Sequence, residues 1–122
     1  MSDPFQDVDA RGAEFIETVG EALETRAAEP AMQQIVDSYL SELTYPKGGL
    51  HIEIGAGSGA IARKLAAHAH NGRVVASDPS PGLIAYAKSS NDNPDNLSFE
   101  VADGAKLLQS DASVDNIVMH TV

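Results

Sequence analysis

Apolar positions recur with two different periods along this chain, and the change of period divides it. From about Asp9 to Ala28 the pattern is helical: Ile16, Val19, Leu23 and Ala27 fall near one face of a 3.6-residue repeat. Residues 1–8 read as a short mobile arm before it. Pro30 suits the first turn of a second helix, on which Met32, Ile35, Val36, Tyr39, Leu40 and Leu43 form an apolar stripe. Pro46-Lys47-Gly48-Gly49 ends that helix in a turn.

Beyond the turn the apolar runs shorten. Leu50 to Ile54 is partly β-branched and followed by glycines, which predicts a strand. Gly57 to about Ala69 carries Ile61, Leu65 and Ala69 at helical spacing. Val74 to Ser77 predicts a second strand after the Asn71-Gly72 turn. Pro81 opens another helix, with Leu83, Ile84 and Ala87 inward. Residues 89–96 form a turn-rich loop, and Leu97 to Val101 a third strand. A short helix is expected near residues 104–109, a turn at Asp111 to Ser113, and a fourth strand over Ile117-Val118-Met119. Alternating strands and helices predict an α/β protein built on a parallel sheet of βα units.

That architecture gives three acids a common place. Glu53, Asp78 and Asp103 are spaced 25 residues apart, each at or just beyond the C-terminal end of a predicted strand. Ligands of open α/β sheets bind at that edge. A single acid there is as often a helix cap; three in register point to a shared binding role.

Between the first strand and its helix runs Gly55-Ala56-Gly57-Ser58-Gly59-Ala60. Glycines permit a sharp turn and a close backbone approach to a ligand, and the following helix start offers unpaired N–H groups. A phosphate loop of the Walker kind needs Lys and Ser or Thr after its last glycine; Ala60-Ile61 stand there, so that reading fails. The dinucleotide pattern G-x-G-x-x-G/A is met by Gly55, Gly57 and Ala60, with Asp78 placed to bind a ribose. An NAD(P)-binding domain therefore stays open.

Composition narrows the partners. The 122 residues suit one domain, and 43% hydrophobic content allows a core. Eight Lys and Arg against 18 Asp and Glu leave a net charge of −10, which disfavours duplex nucleic acid and anionic membrane surfaces. There is no cysteine, which excludes disulfides, Cys–zinc sites and thiol nucleophiles. The N-terminus has no basic and apolar leader pattern and no apolar run is long enough to span a bilayer, so a cytoplasmic protein is expected. Asn96-Leu97-Ser98 reads as a chance sequon.

HIEIGAGSG resembles the first motif of class I S-adenosylmethionine-dependent methyltransferases, matched by Glu53, Gly55, Gly57 and Gly59. VVASDPSPGLIAYAK resembles the second, whose acid grips the ribose hydroxyls; Asp78 takes that place. FEVADGAKL resembles the third, in which Asp103 would bind the adenine amino group, with Ala102 and Gly104 as the adenine wall. SVDNIVMHTV resembles the fourth strand, with Val114 where the family usually has Phe. The resemblance is nearest to small-molecule methyltransferases of the quinone-biosynthesis kind. It implies a Rossmann-like fold and S-adenosyl-L-methionine as cofactor. The implied cofactor-binding set is Glu53, Gly55, Ala56, Gly57, Gly59, Asp78, Pro79, Ala102, Asp103, Gly104 and His120, with no metal and no assignable catalytic residue. It also implies that residues 1–46 form a helical lid region and 47–122 the cofactor-binding half.

The family resembles a seven-stranded sheet of order 3-2-1-4-5-7-6, whereas this chain stops at Val122, near strand four. Strand four would be an apolar open edge. Three explanations follow. The chain is the cofactor-binding part of a split methyltransferase, completed through strand four by a second methyltransferase-like chain that supplies the acceptor pocket. It is a non-catalytic regulatory partner. Or it is a shortened piece that self-associates. The first is preferred, with a small-molecule acceptor and no activity alone.

Other residues have plainer readings. His68 and His70 point to different sides of a helix and make no metal pair. His51 packs within its strand. Glu17, Glu21 and Glu24 form a solvated helix face. Phe5 and Phe15 either pack or close over the site. Ser58 and Ser80 either donate to the cofactor or serve as loop residues and caps, and Asp115 starts a strand.

Overall fold

A computed structural model of the chain describes residues 12–103 and 114–119. Two helices come first, α1 (Ala13–Ala27) and α2 (Pro30–Ser41). Then strands and helices alternate: β1 (Leu50–Ile54), α3 (Ala60–His68), β2 (Arg73–Asp78), α4 (Pro81–Lys88), β3 (Leu97–Val101) and, after the undescribed stretch, β4 (Asn116–Met119). The four strands are parallel and lie in the order β3-β2-β1-β4. The expected arm, the helix near 104–109, Phe5, Gly104 and His120 lie outside the described residues.

Two local expectations shift. The helix expected from Gly57 begins at Ala60, because Gly57 and Gly59 both have positive φ and cannot join a right-handed helix. Ile35, expected in the α2 stripe, is 57% exposed. It lies at the flank of a stripe that packs through Val36 and Leu40, both fully buried.

Register sorts the sheet's side chains onto two faces. One face carries Val74, Ala76, Phe99 and Val118. Val36 and Leu40 of α2 and Leu65 and Ala66 of α3 pack with Val74 and Val118. Ile84 and Ala87 of α4 pack with Ala76 and Phe99. Both β1–α3–β2 and β2–α4–β3 step the same way along the sheet, so right-handed crossovers put their helices on one side. The other face carries Ile52, Ile54, Val75, Ile117 and Met119; on β4, Ile117 is 48% and Met119 69% exposed.

The N-terminal ends of the strands are fastened separately. Asp115 accepts the Leu50 N–H at 2.9 Å and donates its own N–H to Leu50 O at 2.8 Å, which makes it the strand-start residue the sequence suggested. His51 is buried close by, edge-on to Tyr45 at 5.2 Å between ring centres. No described helix is long and apolar enough to cross a membrane.

Candidate functional site

The C-terminal edge of the sheet is where β1 gives way to the glycine loop, residues 55–59. The loop is hooked onto β2. Gly55 and Ala56 both donate their N–H to Ser77 O at 2.9 Å. Gly57 donates its N–H to Asp78 Oδ2 at 3.0 Å, and Ser80 donates its N–H to Asp78 Oδ1 at 3.0 Å. Asp78, 8% exposed, thus clasps the loops that follow both β1 and β2. An ionised carboxylate has about four acceptor positions, so two remain for a ligand's hydroxyls. Gly59 has φ +90°, and a Cβ there would sit 3.0 Å from the Phe99 ring and 3.2 Å from Ala87, so a larger residue would be strained in its backbone and crowded by both neighbours. Ser80 Oγ accepts the Leu83 N–H at 3.0 Å and caps α4.

Glu53 lies within β1, one residue before its end, between Ala76 of β2 and Val118 of β4. It is 1% exposed, and its Oε1 has no hydrogen-bond partner among the described residues. Burial, and then the charge of Asp78, push its carboxyl well above the ordinary carboxylate range. A buried carboxyl oxygen without a partner is costly, and an incoming cation would relieve it. Asp103 follows β3 by two residues and is exposed; Ala102 donates its N–H to Asp78 O at 3.2 Å. Glu53, Gly55, Ala56, Gly57, Gly59, Asp78, Pro79, Ala102 and Asp103 therefore all lie at or beside this edge.

Two contributors were not legible from the sequence alone. Glu24 of α1, expected on a solvated face, accepts from Ser58 Oγ on one oxygen and pairs with Arg63 Nη2 on the other. Arg63 Nη1 also reaches Ser58 O at 3.5 Å and Asn93 Oδ1 at 3.4 Å. Leu23 Cδ1 lies 3.0 Å from where a Cβ of Gly57 would stand. The signal was in the spacing: Gly20, Leu23, Glu24 and Ala27 follow the i, i+3, i+4, i+7 rule of one helix face. Glu17 and Glu21 are exposed. Among the described residues no group of three His, Asp or Glu is placed to hold a metal.

A model of a methyltransferase domain matches residues 52–122, more than half of the chain. The chain belongs to the methyltransferase domain family. Solved methyltransferases share the fold. A precorrin-6y C5,15-methyltransferase from Geobacter metallireducens has a TM-score of 0.62 at 20% identity, over 71% of this chain and 47% of that one. A Haloferax volcanii structure, a complex between the Trm112 methyltransferase activator and a methyltransferase, gives 0.57 at 26% identity, over 84% and 40%. Human N-acetylserotonin methyltransferase in complex with S-adenosylmethionine gives 0.64 at 16% identity, over 84% and 28%. This methyltransferase domain thus spans less than half the length of each. No curated protein matches its sequence. The observed order β3-β2-β1-β4 is the one the class I resemblance implied, and the family match removes the ground for an NAD(P) domain.

Proposed function

We propose that this chain holds S-adenosylmethionine, the cofactor of its family, at the C-terminal edge of the sheet, as the cofactor-binding part of a small-molecule methyltransferase. The observation that carries this is the buried Glu53 carboxyl, whose Oε1 has no partner among the described residues, beside a glycine loop clasped by Asp78. That pair suits a ligand with a cation at one end and vicinal hydroxyls in the middle. Glu53 would face the ammonium and Asp78 the ribose hydroxyls. Gly55, Ala56, Gly57 and Gly59 would give a backbone surface free of obstructing side chains. Asp103 would take the adenine amino group, with Ala102, Gly104 and Pro79 beside the ring and His120 toward the transferred group.

When bound, the cofactor supplies a methyl group on a sulfonium, open to in-line displacement. The residues at this edge bind and orient; none is assigned as a general base. Orientation and exclusion of water are the main needs of such a transfer. On this reading residues 1–46 are the lid region and 47–122 the cofactor-binding half, working in the cytoplasm. The acceptor pocket comes from further polypeptide, in a second methyltransferase-like chain that joins β4. The exposed Ile117 and Met119 support that arrangement.

Calorimetric titration with S-adenosylhomocysteine and, separately, NAD tests the reading. Saturable binding of the first and none of the second is expected, with Asp78→Ala weakening it at least about tenfold, the loss of one charge-assisted contact. Binding of NAD alone, or of neither, would overturn it. Methyl transfer by the chain with no other protein present would refute the dependence on a partner.

A further inference from the structure

We infer that Glu24 is a positioning residue: it couples the docking of α1 to the shape of the glycine loop, so that cofactor binding and closure of α1 reinforce each other. This rests on the reading that residues 55–59 hold the cofactor.

Three successive loop residues are fixed by different hands. Ala56 is bound to Ser77 and Gly57 to Asp78, both on β2, whereas the Ser58 hydroxyl is bound to Glu24 on α1. The loop's shape is therefore set jointly by the sheet and by a helix that precedes the sheet in the chain. Beside that bond, Leu23 presses on Gly57, and the Tyr86 ring of α4 fills the space a Cβ on Gly20 would need, 2.5 Å away at its nearest atom.

Elsewhere α1 packs on α4 and α3 through side chains that stay partly exposed. Gly20 is its one buried residue, and no side chain caps its N-terminus. By contrast α2 sends Val36 and Leu40 fully into the core. Between them stand only Ala28 and Glu29, the latter with extended backbone. A weakly packed helix joined to a firmly packed one opens first. The Glu24 carboxylate is then the fastener: it reaches Ser58 and Arg63 together. Arg63 keeps Ser58 O and Asn93 as partners when Glu24 is removed, so changing Glu24 cuts the link to α1 while leaving that network in place. Linkage makes the coupling reciprocal: if docked α1 favours the binding shape of the loop, bound ligand favours docked α1 by the same factor.

The test combines hydrogen exchange of the α1 amides with titration of S-adenosylhomocysteine, on the whole chain and its Glu24→Ala and Glu24→Gln variants. In the wild type, ligand should slow exchange across Ala13–Ala27. In Glu24→Ala, α1 should exchange rapidly with or without ligand, and Kd should rise about tenfold, within the usual range of coupling between sites. Glu24→Gln, which retains an acceptor for Ser58, should fall between. Exchange of β1 and β2 should stay as in the wild type, which a general loss of stability would not leave unchanged. Wild-type affinity in Glu24→Ala, or α1 exchange indifferent to bound ligand, would overturn the coupling. A wild-type chain that binds no S-adenosylhomocysteine would sink the cofactor reading and the coupling together.

Discussion

Glu53 and His51 sit two residues apart in β1 and respond to pH with opposite signs. Burial and the Asp78 charge raise the folded pKa of Glu53 above its unfolded value. Its contribution to stability is then full below the unfolded carboxylate range, about 4.3, and is lost as pH rises through the folded value. Glu53→Gln should therefore raise the denaturation midpoint of the ligand-free chain at neutral pH while weakening S-adenosylhomocysteine binding. Urea titrations at two pH values, paired with calorimetry, check both halves; a variant that binds as well as the wild type would remove Glu53 from the site. For His51, burial lowers the folded pKa and the nearby Asp115 charge partly opposes it. Asn116 Nδ2 also donates to Thr44 O, so facing His51 Nδ1 at 3.0 Å it leaves the imidazole proton on Nε2, which is buried without a partner among the described residues. Stability from this group is present above the unfolded value, about 6.5, and is lost as pH falls through the folded one. His51→Leu should flatten the acid side of the midpoint-against-pH curve. Asp78 and the glycines were legible in the sequence because strand ends and turn chemistry are local. The state of Glu53 was not, because burial comes from α2, α3 and the strands on either side.

Helix α3 shows how a loop side chain can close an open end. Its last carbonyls need partners, and Asn96 Nδ2 donates to Ala66 O at 3.0 Å, Ala69 O at 3.1 Å and Gly72 O at 3.3 Å. The same Asn96 N–H₂ group looked like part of a chance sequon; its task is to tie the start of β3 to the turn between α3 and β2. Asn96→Ala leaves those carbonyls without this donor and should lower stability by about 1–3 kcal/mol, read from the urea midpoint. An unchanged midpoint would mean that solvent replaces the amide at no cost. The order of helices and strands was legible because apolar spacing is a property of each segment. The capping by Asn96 and the fastening by Glu24 join residues far apart in the chain, which periodicity does not register. Only the shared face of Gly20, Leu23 and Glu24 hinted at the second.

Among the described residues, one side of the sheet is covered well and the other unevenly. The described helices α2, α3 and α4 pack on the face of Val74, Ala76 and Val118. On the opposite face of β4, Ile117 and Met119 stand largely exposed, and β4 pairs with β1 alone among the described strands. Fully burying a side chain of this size is worth roughly 1.5–3 kcal/mol, so two of them beside an open strand edge favour any polypeptide that can pair there. In isolation the chain should therefore self-associate with rising concentration, and light scattering after gel filtration would show it. Ile117→Lys and Met119→Lys together place charges on that face and should return the chain toward a monomer. Because both side chains lie on the face opposite Glu53 and Asp78, affinity for S-adenosylhomocysteine should survive the change. Loss of binding along with association would instead make the second copy part of the cofactor site. A wild-type chain monomeric at every concentration would show that the exposed face is satisfied by water and would remove the support it gives to a completing partner.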